Sequence, residues 1–204
     1  MAPATHLFLS WVIAAKTTDN PRDCRLVTLA GILPDLDGLG LGPDLLNQAL
    51  GRPATHFYLN YHHFLLHGLA GGLLIAGVLA AFAQRRWRVA LLALALFHLH
   101  LLCDLAGSRG PDPDDLWPIF YFGPFHKDPM WLWTGQWPLN AWPLQVSTVL
   151  LFGWSLGLAV KRGDSVVGVF NRRLDRTFVA VLRQWQLALS RKGWWPAWNQ
   201  ELQS

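Results

Sequence analysis

The sequence predicts an all-α fold: a polytopic helical membrane bundle with about three spanning helices, a short N-terminal helical hairpin and a C-terminal amphipathic helix. Three observations predict it. Hydrophobic residues make up 52% of the 204-residue chain and charged residues only 15%, which is poor in charge for a soluble domain. Tryptophan occurs 12 times, a residue that favours membrane interfaces. Basic residues cluster in short runs beside apolar segments instead of spreading along one face.

The first elements are two short apolar stretches, His6 to Ala15 and Cys24 to Leu33, joined by KTTDNPRD. Neither reaches the roughly 17 to 25 apolar residues that cross a hydrocarbon core, so they are read as a hairpin dipping into the bundle. The N-terminus lacks the positive run of a signal peptide, which favours a retained helix. Leu65 to Ala83 is the cleanest span, and Gly68 and Gly72 form a small-xxx-small step suited to close helix contact. Val89 to Ala106 is apolar at first and then carries His98, His100 and Asp104. Leu144 to Val160 completes the set and ends at Lys161 and Arg162.

Charge placement orients these spans, because Lys and Arg prefer cytoplasmic loops. Arg85, Arg86 and Arg88 lie between the first two spans, and Lys161, Arg162, Arg172 and Arg173 follow the third. If all three cross, both basic groups share one side, and the connection from Gly107 to Pro143 lies on the other. That connection is rich in Pro, Gly and Trp and suits an outer membrane surface. Val166 to Ser190 mixes arginines with apolar residues at helical spacing, as an amphipathic helix on the cytoplasmic leaflet would; a solvent-facing helix has the same pattern. The chain divides into a metal-binding helical membrane domain, 1–160, and a basic amphipathic segment, 161–204. Two cysteines without CxxC spacing indicate neither a disulfide framework nor a zinc knuckle. The net charge of +4 is not organised as a nucleic-acid surface, and membrane lipid is the expected partner.

Candidate chemistry sits where polar residues are expensive. Asp104 inside an apolar helix costs about 2.5–3.5 kcal/mol on insertion scales unless paired. His100, four residues earlier, shares its helical face; the two could be metal ligands or a simple hydrogen-bonded pair. His62, His63 and His67 form a second cluster at the start of a span, where His63 and His67 repeat that spacing. In GILPDLDGLG, Asp35 and Asp37 are close enough to repel unless a cation or donors intervene, although solvated turn aspartates are the bland alternative. His6 joins if the hairpin opens toward Asp35. Together His6, Asp35, Asp37, His62, His67, His100 and Asp104 can gather at one end of the bundle. Mixed nitrogen and oxygen donors suit zinc or manganese, as one or two ions. His63 and His98 are read as supporting residues around the ligands.

The order of these motifs resembles the bacterial inner-membrane metal-dependent hydrolase family, also described as LexA-binding, inner-membrane-associated hydrolases. The match runs from Thr5-His6 through Gly31-Ile-Leu-Pro-Asp35-Leu-Asp37, His62 to His67-Gly and His100 to Asp104, to Trp117-Pro118. The family is distantly similar to zinc-dependent phospholipase C proteins. The resemblance implies a multi-pass bacterial inner-membrane location with the site on the non-cytoplasmic side. It also implies hydrolysis of a phosphoester or other polar ester, a lipid among the candidates, by metal-activated water with Asp35 or Asp37 as base. Here Gly38 stands where the family has His, and His63, Leu66 and Gly68 replace its Arg, Thr and Ser. Loss of that Arg weakens the case for a phosphate substrate. The competing class is a non-enzymatic membrane protein with a structural ion or, less favoured, a transport path. Leu73 to Ala83 and Val89 to Phe97 offer almost no polar residues to continue such a path.

Overall fold

The structure is a computed structural model, described here for residues 1–191. Eight α-helices form among these residues, with one small two-stranded ribbon in a loop. Helix α1 (Pro3–Thr17) opens on Pro3, whose fixed φ suits a first helical turn. A short turn leads to α2 (Pro21–Ala30), where the Asn20 side chain accepts hydrogen bonds from the Arg22 and Asp23 amides as an N-cap. These two are the expected N-terminal hairpin. A 3-10 turn (Pro34–Gly40) then carries Asp35 and Asp37 and runs into α3 (Leu41–Ala49), followed by the single-turn α4 (Phe57–Tyr61).

Helices α5 (Leu69–Ala81) and α6 (Arg86–Gly107) form an antiparallel pair, and α7 (Trp142–Arg162) runs parallel to α1. Gly72 lets α5 approach α6 closely, since a Cβ there would lie 2.6 Å from the Phe97 ring. Trp11, Val27, Ile75, Phe97 and Leu101 make up the centre of the buried core.

Two helices, α6 and α7, are long and apolar enough to cross a membrane. The third expected span is shorter than its sequence suggests. Leu65 to Ala83 becomes a 13-residue helix, about 20 Å long against a hydrocarbon core of about 30 Å. The physical reason lies at its start, where Gly68 is pressed against the carbonyls of Phe120, Tyr121 and Gly123 and the chain from His62 to His67 turns. The helical i,i+4 relation expected for His63 and His67 therefore does not form; His63 instead adopts a left-handed backbone, φ 64°.

The Gly107–Pro143 connection folds on itself through β1 (Ile119–Phe120) paired antiparallel with β2 (Met130–Trp131). The buried Gln136 side chain donates to the Trp117 carbonyl and accepts from its amide. Trp131, Trp133, Trp137 and Trp142 are exposed. After α7, a 3-10 turn (Val166–Val169) precedes α8 (Arg172–Arg191), which buries Asp175, Val179, Leu182 and Gln186 along one face. Residues 192–204 of the basic C-terminal segment lie outside the described residues.

The bundle has two chemically distinct ends. The starts of α1 and α5 meet the ends of α2 and α6 at one, where His6, His67, Gly31, His100 and Asp104 converge. At the other, Arg88 donates to the Thr17 carbonyl and Arg162 to those of Ala15 and Thr18. Asp23, also there, accepts from the amides of Gln84 and Arg85.

Candidate metal centre

The 3-10 turn beginning at Pro34 aims Asp35 and Asp37 inward, and the residues behind them explain why. Asp37 Oδ1 accepts from His62 Nδ1 at 2.8 Å, while Oδ2 accepts from His67 Nδ1 at 2.9 Å and the Leu66 amide at 3.1 Å. Both oxygens are thus occupied from the loop before α5. On α6, His100 Nδ1 donates to the Gly31 carbonyl at 2.8 Å, an acceptor that the end of α2 leaves open.

These contacts fix the imidazoles. A carbonyl and a carboxylate can only accept, so His100 and His67 each carry a proton on Nδ1 and turn Nε2 toward one point. The two Nε2 atoms are 3.2 Å apart. Asp104 Oδ2 lies 3.0 Å from His100 Nε2 and 3.5 Å from His67 Nε2; Asp35 Oδ1 lies 3.6 and 3.9 Å from the same atoms. A tetrahedral ion with bonds of about 2.0–2.2 Å would hold its donors about 3.3–3.6 Å apart, and these separations bracket that range. Among the described residues, Asp104 Oδ2 and Asp35 Oδ2 have no hydrogen-bond partner. Buried lone pairs facing one another without donors repel, and either a proton on one Nε2 or a cation between them relieves that repulsion. The group Asp35, His67, His100 and Asp104 can hold a metal ion.

The remaining candidates surround this core. His6 Nε2 lies 3.1 Å from Asp104 Oδ1, and its ring stacks on His100 at 3.8 Å between centroids. The Met1 amino group and Ser108 Oγ also bond Asp104 Oδ1. His6 therefore grips the ligand oxygen opposite to the one facing the cluster. His62 and Asp37 stand behind His67, where a hydrogen-bonded carboxylate orients a ligating imidazole. His62, His63 and His67 form a second group whose donor atoms lie within 4.8 Å of one another. His63 Nε2 reaches to 4.0 Å from Asp104 Oδ2, and His63 Nδ1 has no partner among the described residues. His98 is not brought in: Nδ1 donates to the Leu94 carbonyl, and Nε2 lies 3.0 Å from the Tyr121 hydroxyl.

The electrostatics follow the same geometry. Burial alone would raise the Asp37 carboxyl, but hydrogen bonds from His62 and His67 hold it well below the usual carboxylate range. Burial opposes charge on His67, yet its contacts with Asp104 and Asp37 outweigh that and push it up to about 9. A proton on His67 Nε2 thus supplies positive charge where the donor atoms meet. His63 is held well below its usual value by burial and by the neighbouring His67.

A cleft of about 440 Å³ opens beside the cluster, bounded in part by Asp35, His62, His63 and Ser108. The Asp35 side chain is 19% exposed, while those of His67, His100 and Asp104 are almost fully enclosed. The site is therefore accessible from one side, through Asp35. Sequence reasoning passed over Ser108, which follows Asp104 by one helical turn, and Gly31, whose carbonyl orients His100. Ser108 had a spacing signal, whereas the Gly31 contact depends wholly on how α2 meets α6. No protein-family model, curated protein or solved structure matches the chain.

Proposed function

We propose that the protein is a membrane-anchored, metal-dependent hydrolase of a phosphoester or other polar ester. The carrying observation is the convergence of His67 Nε2, His100 Nε2, Asp35 Oδ1 and Asp104 Oδ2, with both imidazoles locked by Nδ1 hydrogen bonds. The part-exposed Asp35 and the adjoining cleft support catalysis over a purely structural ion, because a water could reach the ion at Asp35 and join or displace that ligand, whereas structural sites are enclosed on every side.

A bound divalent ion would supply a Lewis acid and bring a coordinated water into the neutral titration range. The protein's own groups divide the remaining work. His67 and His100 hold the ion from the core, and Asp104 joins them while His6 and Ser108 fix its other oxygen. Asp35 has Oδ2 unpartnered among the described residues, so it is the base that accepts the proton of the attacking water. Asp37 holds His62 and His67 in position, with both of its oxygens engaged by them and by the Leu66 amide. His63 lines the cleft and offers a nitrogen to the bound ester.

Helices α6 and α7 support a membrane location, and the basic end supports placing the cluster on the non-cytoplasmic side. The ordered motifs support kinship with the inner-membrane metal-dependent hydrolases. Metal analysis of purified protein tests the reading. Wild type retains a stoichiometric ion and hydrolyses model esters in a chelator-sensitive way, whereas Asp35→Asn keeps the ion and loses hydrolysis; a metal-free wild type sinks it.

A further inference from the structure

We infer that the substrate is an amphiphile, whose polar ester meets the cluster while its alkyl chain lies along the cleft wall formed by Leu39, Leu41 and Leu139. This rests on the hydrolase reading and adds the part of the substrate that does not react. The cleft is chemically two-sided. Asp35, His62, His63 and Ser108 supply its polar part, and the three leucines with Trp117 supply much of the rest. Neither Lys nor Arg contributes to it among the described residues, and the Met1 ammonium that also lines it is bonded to Asp104 and Ser108, so a polar head would be held by the ion and imidazoles without a bidentate clamp.

The leucine wall is a built surface. Leu39 is 68% exposed and Leu41 45%, and Leu36, Leu45, Leu46 and Leu50 extend the exposed apolar area along the 3-10 turn and α3. Helix α3 buries none of its own residues, so these leucines are not spent on the core. Asp44 fixes α3 to the next helix, accepting from Thr55 Oγ1 at 2.6 Å and from the amides of Phe57 and Tyr58 at 2.9 and 2.8 Å. Such an anchored apolar patch rimmed by polar groups marks a ligand groove or a lipid contact. Here it leads into the cleft beside the cluster, which Asp35 lines, and so joins both properties in one ligand. Gly38 lets the turn approach these side chains closely, since a Cβ there would lie 3.1 Å from His62 Nδ1 and 3.5 Å from the Tyr58 ring.

Alkyl hydroxamates give a direct binding test, because the head chelates metal and the tail length varies. The ligands are acetohydroxamate and octanohydroxamate, titrated below micellar concentration into zinc-loaded wild type and Leu39→Asp/Leu41→Asp protein in nanodiscs of one composition. Both substituted positions are exposed, so the core is untouched. Octanohydroxamate adds six methylenes, and with about half their surface buried its affinity gain over acetohydroxamate is about 50-fold. The variant keeps acetohydroxamate binding and loses most of that gain. Comparing the two proteins cancels partition of the longer ligand into lipid. Equal affinity for both ligands in wild type, or a gain that persists in the variant, overturns the inference and leaves the metal centre intact. Wild type that takes up no zinc overturns the inference together with the hydrolase reading.

Discussion

Asp23 and Asp104 sit at opposite ends of the bundle, and each is only 2% exposed. By burial alone they are the same residue. Asp23 is satisfied by backbone: Oδ1 accepts the Gln84 amide at 2.8 Å and Oδ2 the Arg85 amide at 3.0 Å, which ties α2 to the turn before α6. Asp104 faces imidazoles, and its Oδ2 finds no donor among the described residues. Asp37 is intermediate, with both oxygens satisfied but largely by the imidazoles of the cluster. A buried carboxylate is therefore not in itself a sign of chemistry. Its donors make the difference, since backbone amides fasten a fold whereas imidazole nitrogens can exchange a proton for a cation.

The largest effect that could break this contrast is at the cluster. His100→Ala removes one of four donors and frees the Gly31 carbonyl; we expect the bound ion to be lost on dialysis, read by elemental analysis. Retention of a full equivalent would show that His100 is not a ligand. Asp37→Asn comes next. It leaves all four donors in place but weakens the orientation of His67, and loss of such a partner costs about 10–100-fold in metal affinity. Calorimetric titration with zinc measures it, and an unchanged Kd would reduce Asp37 to a structural residue like Asp23.

Asp23→Ala should have the smaller and different outcome. Two partly buried amides, those of Gln84 and Arg85, lose their acceptor, at a cost of about 0.5–1.5 kcal/mol in stability. Metal content stays at the wild-type level, because Asp23 lies at the end of the bundle away from the cluster. A lower melting temperature with unchanged metal supports the division of labour; lost metal in a folded protein would remove it.

The same distinction explains what could be read from sequence. The bundle, the hairpin, and helices α6, α7 and α8 follow from apolar run length and charge placement, which are local properties. Asp35, His67, His100 and Asp104 were legible as polar residues in expensive positions. The roles within the group were not. Asp37 and Asp35 are equivalent in GILPDLDGLG, and only the loop from His62 to His67 decides which one faces the cleft. That loop was misread as helix because Leu65 and Leu66 extend the apolar run, while Gly68's contact with the Phe120–Gly123 carbonyls is a long-range constraint. His98 and His100 lie on one helix, yet Tyr121 engages the first and Gly31 orients the second.

The mildest test uses pH to ask whether a proton and a metal ion compete for the same place. His67, raised to about 9, stays protonated at neutral pH through its contacts with Asp104 and Asp37. Its pKa is higher folded than unfolded, where it is about 6.5. The stability gained is therefore fully present below about 6.5 and disappears as pH rises through about 9. Metal binding runs the opposite way, because the ion needs the Nε2 lone pair and must displace that proton. Zinc affinity should rise about tenfold per pH unit from 7 to 8, with about one proton released. Titrations in buffers of different ionisation enthalpy count that proton. Asp23→Ala should retain the same slope, whereas Asp37→Asn, having lost one of the carboxylates that raise His67, should flatten it. A pH-independent affinity in wild type would mean that His67 Nε2 does not meet the ion, and would return His67 to the class of Asp23 as a group that only fastens the fold.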